Sequence, residues 1–520
     1  MSKCPTKSLL PIPRLLRAAG ALLLVLAFAP DANAIGISKK SQFIVSDSEE
    51  PFDRRIYSYA IDLDSAGNLH VVYAKPAPGS NRCDIVYATG PSPSNLVSTV
   101  LDANGKLGSI STALRVDKAT DVVHVSYVQY QTDPSTRLVH QSISNGVPSA
   151  KHVVAPGGWH TAMQLDSSGS PVFVRENGTS LYLWLPAGDD SWTGLSFAPS
   201  GAIQYRLAGF ALEPQYGSLH VIYGDNSGTL KGAPLHNLHY AFSFGGTHWD
   251  AEVVDNSKTL WELEFWTSIV LDSAGQPAIS MYKYAEYGGT NNTGTSLLLA
   301  RREGSSWNKQ IIAGTVPGQT PPWHRAGMGG QLLVDVFGIL YGAWDNSPDA
   351  PIDFDGAYGN IAMNHAVSDS PWQSQFQVEP FSAEGFCRLA IHGSNLYMLA
   401  LGHYANAKLY LDHLQVDRSW DRTFTSIGGG WRRLSWFGDY VPMELDGWIW
   451  HSKHGFFYLP PDSMPHTVWL YSDSLSWLWT ARTVYPYFWS PDRESWLWYN
   501  GSTNPRWFVD MQSGEWLSAP

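Results

Sequence analysis

A short sequence phrase recurs seven times between residues 58 and 401, and it constrains the fold more than any other feature. Each copy contains an alternating strand, a turn usually built on Asp and Gly, and a second strand that often ends in Tyr. The clearest copies read IDLDSAGNLHVVY at 61–73 and IVLDSAGQPAISMY at 269–282. A third strand follows each copy, and several units then reach a Trp. Four antiparallel strands repeated about every 50 residues predict an all-β fold containing a seven-bladed β-propeller.

The propeller is predicted to cover residues 41–427, but the segment that closes its ring is ambiguous. Residues 43–45 lie where an outer strand of the last blade belongs, and residues 423–427 are an equally placed alternative. We favour closure by the N-terminal segment, because pairing the first and last parts of the chain ties down both.

The first 34 residues have the pattern of a signal peptide and are predicted to lie outside the fold. Basic residues precede a short apolar run at 21–29, and Ala32-Asn33-Ala34 supplies a small-residue cleavage site. That run is too short to span a bilayer, and no later stretch is long enough. We therefore predict a secreted, periplasmic or outer-surface protein with no transmembrane segment in the mature chain.

Charge and cysteine content exclude several classes of partner. The formal net charge of -12 argues against nucleic-acid binding, which needs a basic surface. Only Cys83 and Cys387 follow the leader, too few for a cysteine-rich zinc site, although in an oxidising compartment they are able to pair. Their predicted positions, in the first and seventh blades, make a ring-closing disulfide a hypothesis that their separation tests.

Residues at repeated positions are predicted to be structural. His70, His124 and His220 each open the second strand of their unit, and equivalent positions on different blades point around the ring rather than to one metal ion. Asp64, Asp166 and Asp272 fit Asx turns. We predict no metal site and no cofactor.

The repeats resemble those of secreted bacterial propellers in the broad sialidase-like group. The hairpin SFGGTHW at 243–249 is similar to the Asp-box of that group, S-x-D-x-G-x-x-W, with Gly245 in place of the Asp. The resemblance covers most of residues 41–427. It implies the fold and does not carry over sialidase chemistry.

Residues that do not repeat are the candidate binding residues. Starts of innermost strands and ends of second strands open on one face of a propeller, around the central channel. Arginines concentrated there favour an anionic ligand held through guanidinium contacts. The candidate ligand-binding residues are Arg55, Arg175, Arg206, Arg325, Arg388, Trp266, Asp345 and His403. The alternative interpretation is that these side chains cap the blades and pair with one another.

Two enzymatic chemistries fit the same rim. A polysaccharide lyase needs an Arg to neutralise a carboxylate and a His or Tyr to accept a proton, and His160, His324 and Tyr223 are the candidates. A sialidase-like hydrolase would need an arginine cluster and a Tyr activated by an acid. Spacing alone does not choose between them.

The C-terminal segment, residues 430–520, is predicted to be a separate β-hairpin repeat module behind a glycine linker at 428–430. It holds 12 of the 23 tryptophans, many as Trp-x-Trp doublets such as Trp477-Leu478-Trp479. Alternation at period two predicts short strands with one tryptophan face. A thin all-β module needs large side chains in its core, so most of these tryptophans are expected to be buried, with glycan stacking as the alternative.

The segment resembles a Trp-rich C-terminal module found on otherwise unrelated secreted bacterial proteins, which implies surface retention or sorting. The matching motifs include Trp436-Phe437-Gly438, Trp448-Ile449-Trp450-His451 and Asn504-Pro505-Arg506-Trp507-Phe508.

Three functions follow from these patterns. The first is a secreted or surface-retained propeller that binds an anionic carbohydrate, or another cell-envelope component, at its channel mouth. The second is a polysaccharide lyase or glycosidase using the same funnel. The third is a protein-interaction scaffold without a small ligand. A pocket where Arg meets His or Tyr would favour the enzyme, and a flat, wide, apolar face would favour the scaffold.

Overall fold

The structure is a computed structural model of the 520-residue chain. It describes residues 36–46 and 58–519 apart from residues 78–81, 107–111, 133–134, 158–159, 178, 189–190, 199–204, 214–216, 231–232, 261–266, 273, 285–294, 315–324, 337–338, 348–358, 368–375, 403–407, 418–419, 422–423, 446, 461–462, 464–466, 483 and 504. Among the described residues no helix is long and apolar enough to cross a membrane.

Strands over the first half of the chain form antiparallel units of four. Strand β1 is Gly36–Ser46 and precedes the first unit. The first unit is β2 Tyr59–Leu63, β3 Leu69–Pro76, β4 Arg82–Gly90 and β5 Val97–Lys106, with a 3-10 turn at Pro93–Asn95. The second is β6 Ala113–Asp117, β7 Val122–Thr132, β8 Ser135–Ser144 and β10 His152–Pro156, with the two-residue β9 Val147–Pro148 on β8. The third is β11 Thr161–Leu165, β12 Pro171–Glu176, β13 Leu181–Gly188 and β14 Ser191–Phe197.

Four further units continue the pattern. The fourth is β15 Tyr205–Glu213, β16 Ser218–Leu230, β17 Ala233–Phe244 and β18 Asp250–Leu260. The fifth is β19 Ser268–Leu271, β20 Pro277–Tyr284, β21 Thr295–Glu303 and β22 Ser306–Gly314. The sixth is β23 Arg325–Val334, β24 Ile339–Ser347, β25 Gly359–Val367 and the first part of β26 Phe376–His392. The seventh is the rest of β26, β27 Asn395–Gly402, β28 Leu409–Asp417 and β1.

The first strands of the seven units contact one another in a closed cycle. The order is β2, β6, β11, β15, β19, β23, β26 and back to β2. Buried Val, Leu, Ile and Tyr side chains on both faces of each unit fill the spaces between neighbours. The all-β propeller class is confirmed, and this ring is consistent with the predicted seven blades.

The N-terminal segment supplies the outer strand of the seventh blade. Strand β1 pairs antiparallel with β28, from Gly36 opposite Asp417 to Ser46 opposite Leu409. The closure favoured from the sequence is therefore confirmed. Part of the alternative segment, Thr425–Gly428, instead pairs with the strand that follows it.

Turn acids and repeated histidines are structural, as predicted. Asp64 Oδ1 accepts hydrogen bonds from the backbone N–H groups of Ala66 (3.0 Å) and Asn68 (2.7 Å), and Asp166 and Asp272 make the same Asx turn. The Nδ1 atom of each histidine lies within hydrogen-bond distance of a side chain on the third strand of the same blade. That side chain is two residues along the third strand from the residue directly opposite the histidine. The pairs are His70 with Tyr87 at 2.6 Å, His124 with His140 at 3.0 Å, and His220 with Tyr240 at 2.7 Å.

A tryptophan just before the fourth strand of the fourth blade packs against the preceding blade. Trp249 stacks on Phe197 with ring centroids 4.1 Å apart and planes 6° from parallel. Its Nε1 donates to the Gly246 carbonyl at 3.0 Å, inside the hairpin that resembles an Asp-box. Ser243 Oγ accepts from the Gly246 N–H at 3.1 Å, so Ser243 organises this turn where the motif's Asp is missing.

The two cysteines do not form the hypothesised disulfide. Both side chains are buried, and neither is part of a disulfide. Cys83 packs in the core between the first and second blades, whereas Cys387 packs between the sixth and seventh and donates to the Ala343 carbonyl at 3.3 Å. They fill two different inter-blade cores, and burial raises the pKa of the Cys83 thiol to about 12.

The C-terminal segment forms one antiparallel sheet of eleven short strands in sequence order. The strands are β29 Thr425–Gly428, β30 Trp431–Leu434, β31 Gly438–Pro442, β32 Trp448–His451, β33 Gly455–Tyr458, β34 Thr467–Ser472, β35 Ser476–Ala481, β36 Tyr487–Ser490, β37 Ser495–Tyr499, β38 Arg506–Asp510 and β39 Trp516–Ala519. Gly429 and Gly430, at φ +60° and +81°, form the β29–β30 turn rather than the predicted linker. The sheet also engages residues before it, since Tyr440 and Arg432 both contact the buried Asp421.

The expectation that the module's tryptophans fill its core is wrong. None of the twelve is fully buried: the eleven on strands lie on the outer face while the alternate residues point inward, and Trp436, in a turn, packs partly buried against the core. Leu478 sits between Trp477 and Trp479, and Leu497 between Trp496 and Trp498; both leucines are fully buried. One core of smaller apolar side chains runs from Leu434 to Ala519, so the sheet rolls around Leu, Phe, Tyr and Ile rather than Trp.

Candidate functional site

The innermost strands enclose a central cavity of about 490 Å³, and all seven contribute lining residues. Most of the lining is small or aliphatic, since these strands alternate between the two faces of each blade. Six titratable side chains also line it: the basic Arg115, Lys118, His160 and Arg388 and the acidic Asp62 and Asp335. Two of the candidate residues named from the sequence, His160 and Arg388, therefore lie in this cavity.

Arg388 and Arg115 are the two guanidinium groups of the cavity. Arg388 Nη1 donates to the Cys387 carbonyl at 3.0 Å, and its guanidinium carbon lies 5.8 Å from the centre of the Tyr59 ring. Arg115 Nε donates to Gln164 Oε1 at 2.9 Å, and its Nη1 donates to the Leu114 carbonyl at 2.8 Å. Both side chains are thus held by neutral acceptors.

Neither guanidinium forms an ion pair with a described carboxylate. Asp62 accepts from the Val116 N–H at 2.9 Å and from Lys118 Nζ at 2.7 Å, so its charge is matched elsewhere. Burial lowers the pKa of Arg115, and repulsion from Arg388 lowers it further against the opposing effect of Asp62. Arginine remains protonated despite such shifts. The channel therefore carries positive charge that its described side chains leave unneutralised.

Asp335, the other carboxylate of the lining, is committed to a turn. It accepts from the Ile339 N–H at 2.9 Å and from the Tyr341 hydroxyl at 3.0 Å. Among the described residues no cluster of three or more His, Cys, Asp or Glu side chains is placed to hold a metal ion.

A second cluster joins the third and fourth blades beside the channel. The buried Glu176 accepts from Arg206 Nη1 at 2.9 Å and from the Leu207 N–H at 2.6 Å, and its Oε1 lies 3.8 Å from His160 Nε2. Burial raises the pKa of Glu176, against the stabilising contacts of Leu207 and Arg206. Burial, with repulsion from Arg206, lowers the pKa of His160 to about 4. This cluster is an inter-blade ion pair, as the structural interpretation of the rim predicts.

The predicted site residues are thus not all brought together. Arg388 and His160 line the cavity, whereas Arg206 is engaged by Glu176 and Arg175 Nη1 donates to the Pro156 carbonyl. Tyr223 is fully buried and stacks on His239 with centroids 5.1 Å apart, away from the cavity lining. Arg325 and Asp345 lie in β23 and β24, and their side chains are not described. Arg55, Trp266, His324 and His403 lie outside the described residues.

Arg115 is the functional candidate that sequence reasoning missed. It occupies the middle of an innermost strand, between the buried Leu114 and Val116, rather than a strand end. Its sequence position could have identified it: an arginine stays charged, and burying a charge inside a strand that is covered on both faces is costly, so such a residue needs a functional or structural reason. Attention to strand ends alone passes over it.

No protein-family model matches this chain, and no curated protein matches it. Similar solved structures include an ulvan lyase bound to -[GlcA(1-4)Rha3S]-, with 13% identity over 71% of this chain and 93% of that chain and a TM-score of 0.41. The intramolecular trans-sialidase from Ruminococcus gnavus has 11% identity over 71% and 96%, with a TM-score of 0.38. The α-L-arabinofuranosidase of Fusarium graminearum has 12% identity over 72% and 97%, with a TM-score of 0.42. At these values the similarity assigns neither ligand nor activity to this chain.

Proposed function

We propose that this protein is a secreted propeller that binds an anionic carbohydrate in its central channel, with Arg115 and Arg388 as the anion-binding groups. The observation that carries the proposal is the presence of two guanidinium groups in one cavity without a described carboxylate partner. A uronate carboxylate or a sulfate ester would supply an anionic partner for these groups.

Donor counting supports an anion in this position. A guanidinium has five N–H donors, and the described hydrogen bonds engage Nε and Nη1 of Arg115 and only Nη1 of Arg388. The remaining donors are able to bind carboxylate or sulfate oxygens, which arginine holds in pairs.

Replacing the channel arginines tests the proposal. We expect Arg388→Gln to weaken binding of an oligogalacturonate about tenfold or more, because hydrogen bonds between charged partners contribute about 1.5–3 kcal/mol. Arg115→Gln should act similarly, and both should reduce the salt dependence of binding. Isothermal titration calorimetry at two salt concentrations measures both effects.

Arg206→Gln is the matched control, since Arg206 is already paired with Glu176 and is absent from the cavity lining. It should leave the affinity within about twofold of the wild type, a difference of under 0.5 kcal/mol. Unchanged affinity in both channel variants would contradict the proposal, as would an equal loss in all three.

A lyase using the same cavity is the second candidate, and His160 is the observation that favours it. His160 lines the channel, and its lowered pKa keeps it neutral at pH 7. A proton acceptor works best with a pKa near the operating pH, however, and a value of about 4 makes His160 a weak base there. The geometry therefore supports binding over catalysis. Ultraviolet-absorbing unsaturated products released from polygalacturonate, and lost in His160→Gln, would reverse that ranking.

We also propose that the C-terminal segment retains the protein at the cell surface. A chain ending after Asp417 keeps all seven blades and β1, and removes Trp420 and Asp421 together with the sheet that they pack against. This shortened chain should fold and be exported, but be released into the medium. Immunoblots of cell and medium fractions, with circular dichroism of the purified protein, measure the outcome. Failure of the propeller to fold, or cell association as firm as that of the full chain, would contradict the proposal.

A further inference from the structure

The outer face of the C-terminal sheet contains a groove of about 350 Å³ that the channel proposal does not involve. Its aromatic residues are Trp448, Trp450 and Phe456, from the β32–β33 hairpin. Trp450 is 39% exposed and Phe456 52% exposed, and their rings meet edge to face at 4.5 Å. The alternation of β32 fixes this placement, because Ile449 and His451 occupy the core side.

The aromatic surface continues from the groove along neighbouring strands. Trp448 contacts Tyr458 at 5.7 Å between ring centroids, Tyr458 contacts Trp477 at 6.3 Å, and Trp477 contacts Tyr471 at 5.4 Å. These rings lie on the same outer face, since the residues between them are buried. The row is long enough to meet several successive units of a chain-like ligand rather than one small molecule.

Positive charge borders the aromatic groove. Lys453 and Arg506 line it, and among the described residues neither forms an ion pair. Gly455, at φ +71°, leaves room for Arg506, whose Nη1 lies 3.0 Å from the position that a Cβ would occupy. Asp473 is the one carboxylate in the described lining. Hydroxyl groups of Ser452, Ser472, Ser474 and Thr503 complete the polar lining.

We propose that this groove is a second glycan-binding site, which takes a polysaccharide chain bearing carboxylate or sulfate groups. Sugar rings stack on Trp450 and the adjoining aromatic row, and Arg506 and Lys453 pair with the anionic groups. Aromatic rings beside unpaired cations and several hydroxyls match such a chain better than a purely apolar partner. The inference is independent of the channel, since it uses no residue of the propeller.

Binding of dextran sulfate and polygalacturonate to the full chain tests the inference, with uncharged dextran as the comparison. The measurements are made in an Arg115→Gln/Arg388→Gln background. Because both channel arginines are absent from every protein compared, a difference in affinity reports on the groove and not on the channel. Trp450→Ala and Arg506→Gln should each weaken binding of at least one anionic polymer about tenfold, as expected for removal of a central anchor. Arg506→Gln should also flatten its salt dependence.

Trp516→Ala is the matched control, because Trp516 is a 55% exposed tryptophan of the same face outside the groove. It should leave affinity unchanged, and thermal unfolding should show that all three variants fold. Equal weakening by Trp516→Ala, or unchanged affinity in both groove variants, would overturn the inference. Concentration-dependent dimers in ultracentrifugation that Trp450→Ala abolishes would also overturn it, by making the face an interface between two copies.

Discussion

Lowering the pH from 7 to 4 is expected to unfold this protein. Burial lowers the pKa of His140 to about 3 and of His160, His220 and His451 to about 4, and it lowers the pKa of His454 well below the ordinary value. The unfolded chain protonates these histidines near pH 6.5 and the folded chain does not. Unfolding therefore takes up protons, and stability falls as the pH drops from about 6.5 toward 4.

The expected effect is large. A shift of about 2.5 pH units corresponds to about 3 kcal/mol for each histidine. Several such groups together match the roughly 5–15 kcal/mol that usually separates folded from unfolded states. Urea unfolding followed by circular dichroism at several pH values measures the trend.

The matched pair for this experiment is His220→Gln and His248→Gln. His220 is buried against Tyr240, whereas the His248 side chain is 87% exposed. His220→Gln should reduce the slope of stability against pH below 6.5, and His248→Gln should leave it unchanged. Stability that is flat from pH 7 to 4, or equal slopes in the two variants, would contradict the assignment of neutral buried histidines.

Leu497→Ala should destabilise the C-terminal sheet far more than Trp496→Ala. Leu497 is fully buried in the sheet's core, and a leucine removed from such a site costs about 2–5 kcal/mol. Trp496 is only half-buried, and its ring contacts are Trp489, directly opposite on β36, at 5.7 Å and Trp479, one strand further, at 5.8 Å. Cross-strand pairs contribute about 0.2–1 kcal/mol each.

Thermal unfolding monitored by near-ultraviolet circular dichroism compares the two variants, because 12 of the 23 tryptophans lie in the C-terminal segment. A larger loss of stability from Trp496→Ala than from Leu497→Ala would contradict the placement of the tryptophans on the outer face. It would also remove the basis for the groove proposed on that face. Trp516→Ala, on the last strand, provides the reference for loss of an exposed tryptophan.

Repetition made most of the propeller predictable from its sequence. Each copy of the phrase places the same residue in the same local environment, so His70 and His220 make the same bond to a third-strand Tyr. The Asx turns at Asp64 and Asp272 follow from local chemistry alone. Ring closure by β1 was favoured for a physical reason that also holds in the structure.

The orientation of the tryptophans was not predictable by the same means. Alternation at period two shows that Trp496 and Leu497 lie on opposite faces, but both are apolar and the pattern does not say which is inside. The curvature of the rolled sheet settles it, because the enclosed side has room for Leu and Phe. Tertiary geometry of this kind also separated Cys83 from Cys387 and placed Arg115 beside Arg388.

The most direct test of channel binding is a crystal structure of the protein with a bound oligogalacturonate. We expect a uronate carboxylate within hydrogen-bond distance of both Arg115 and Arg388, inside the cavity formed by the seven innermost strands. An oligosaccharide bound only elsewhere, with the channel arginines uncontacted, would contradict the proposed function.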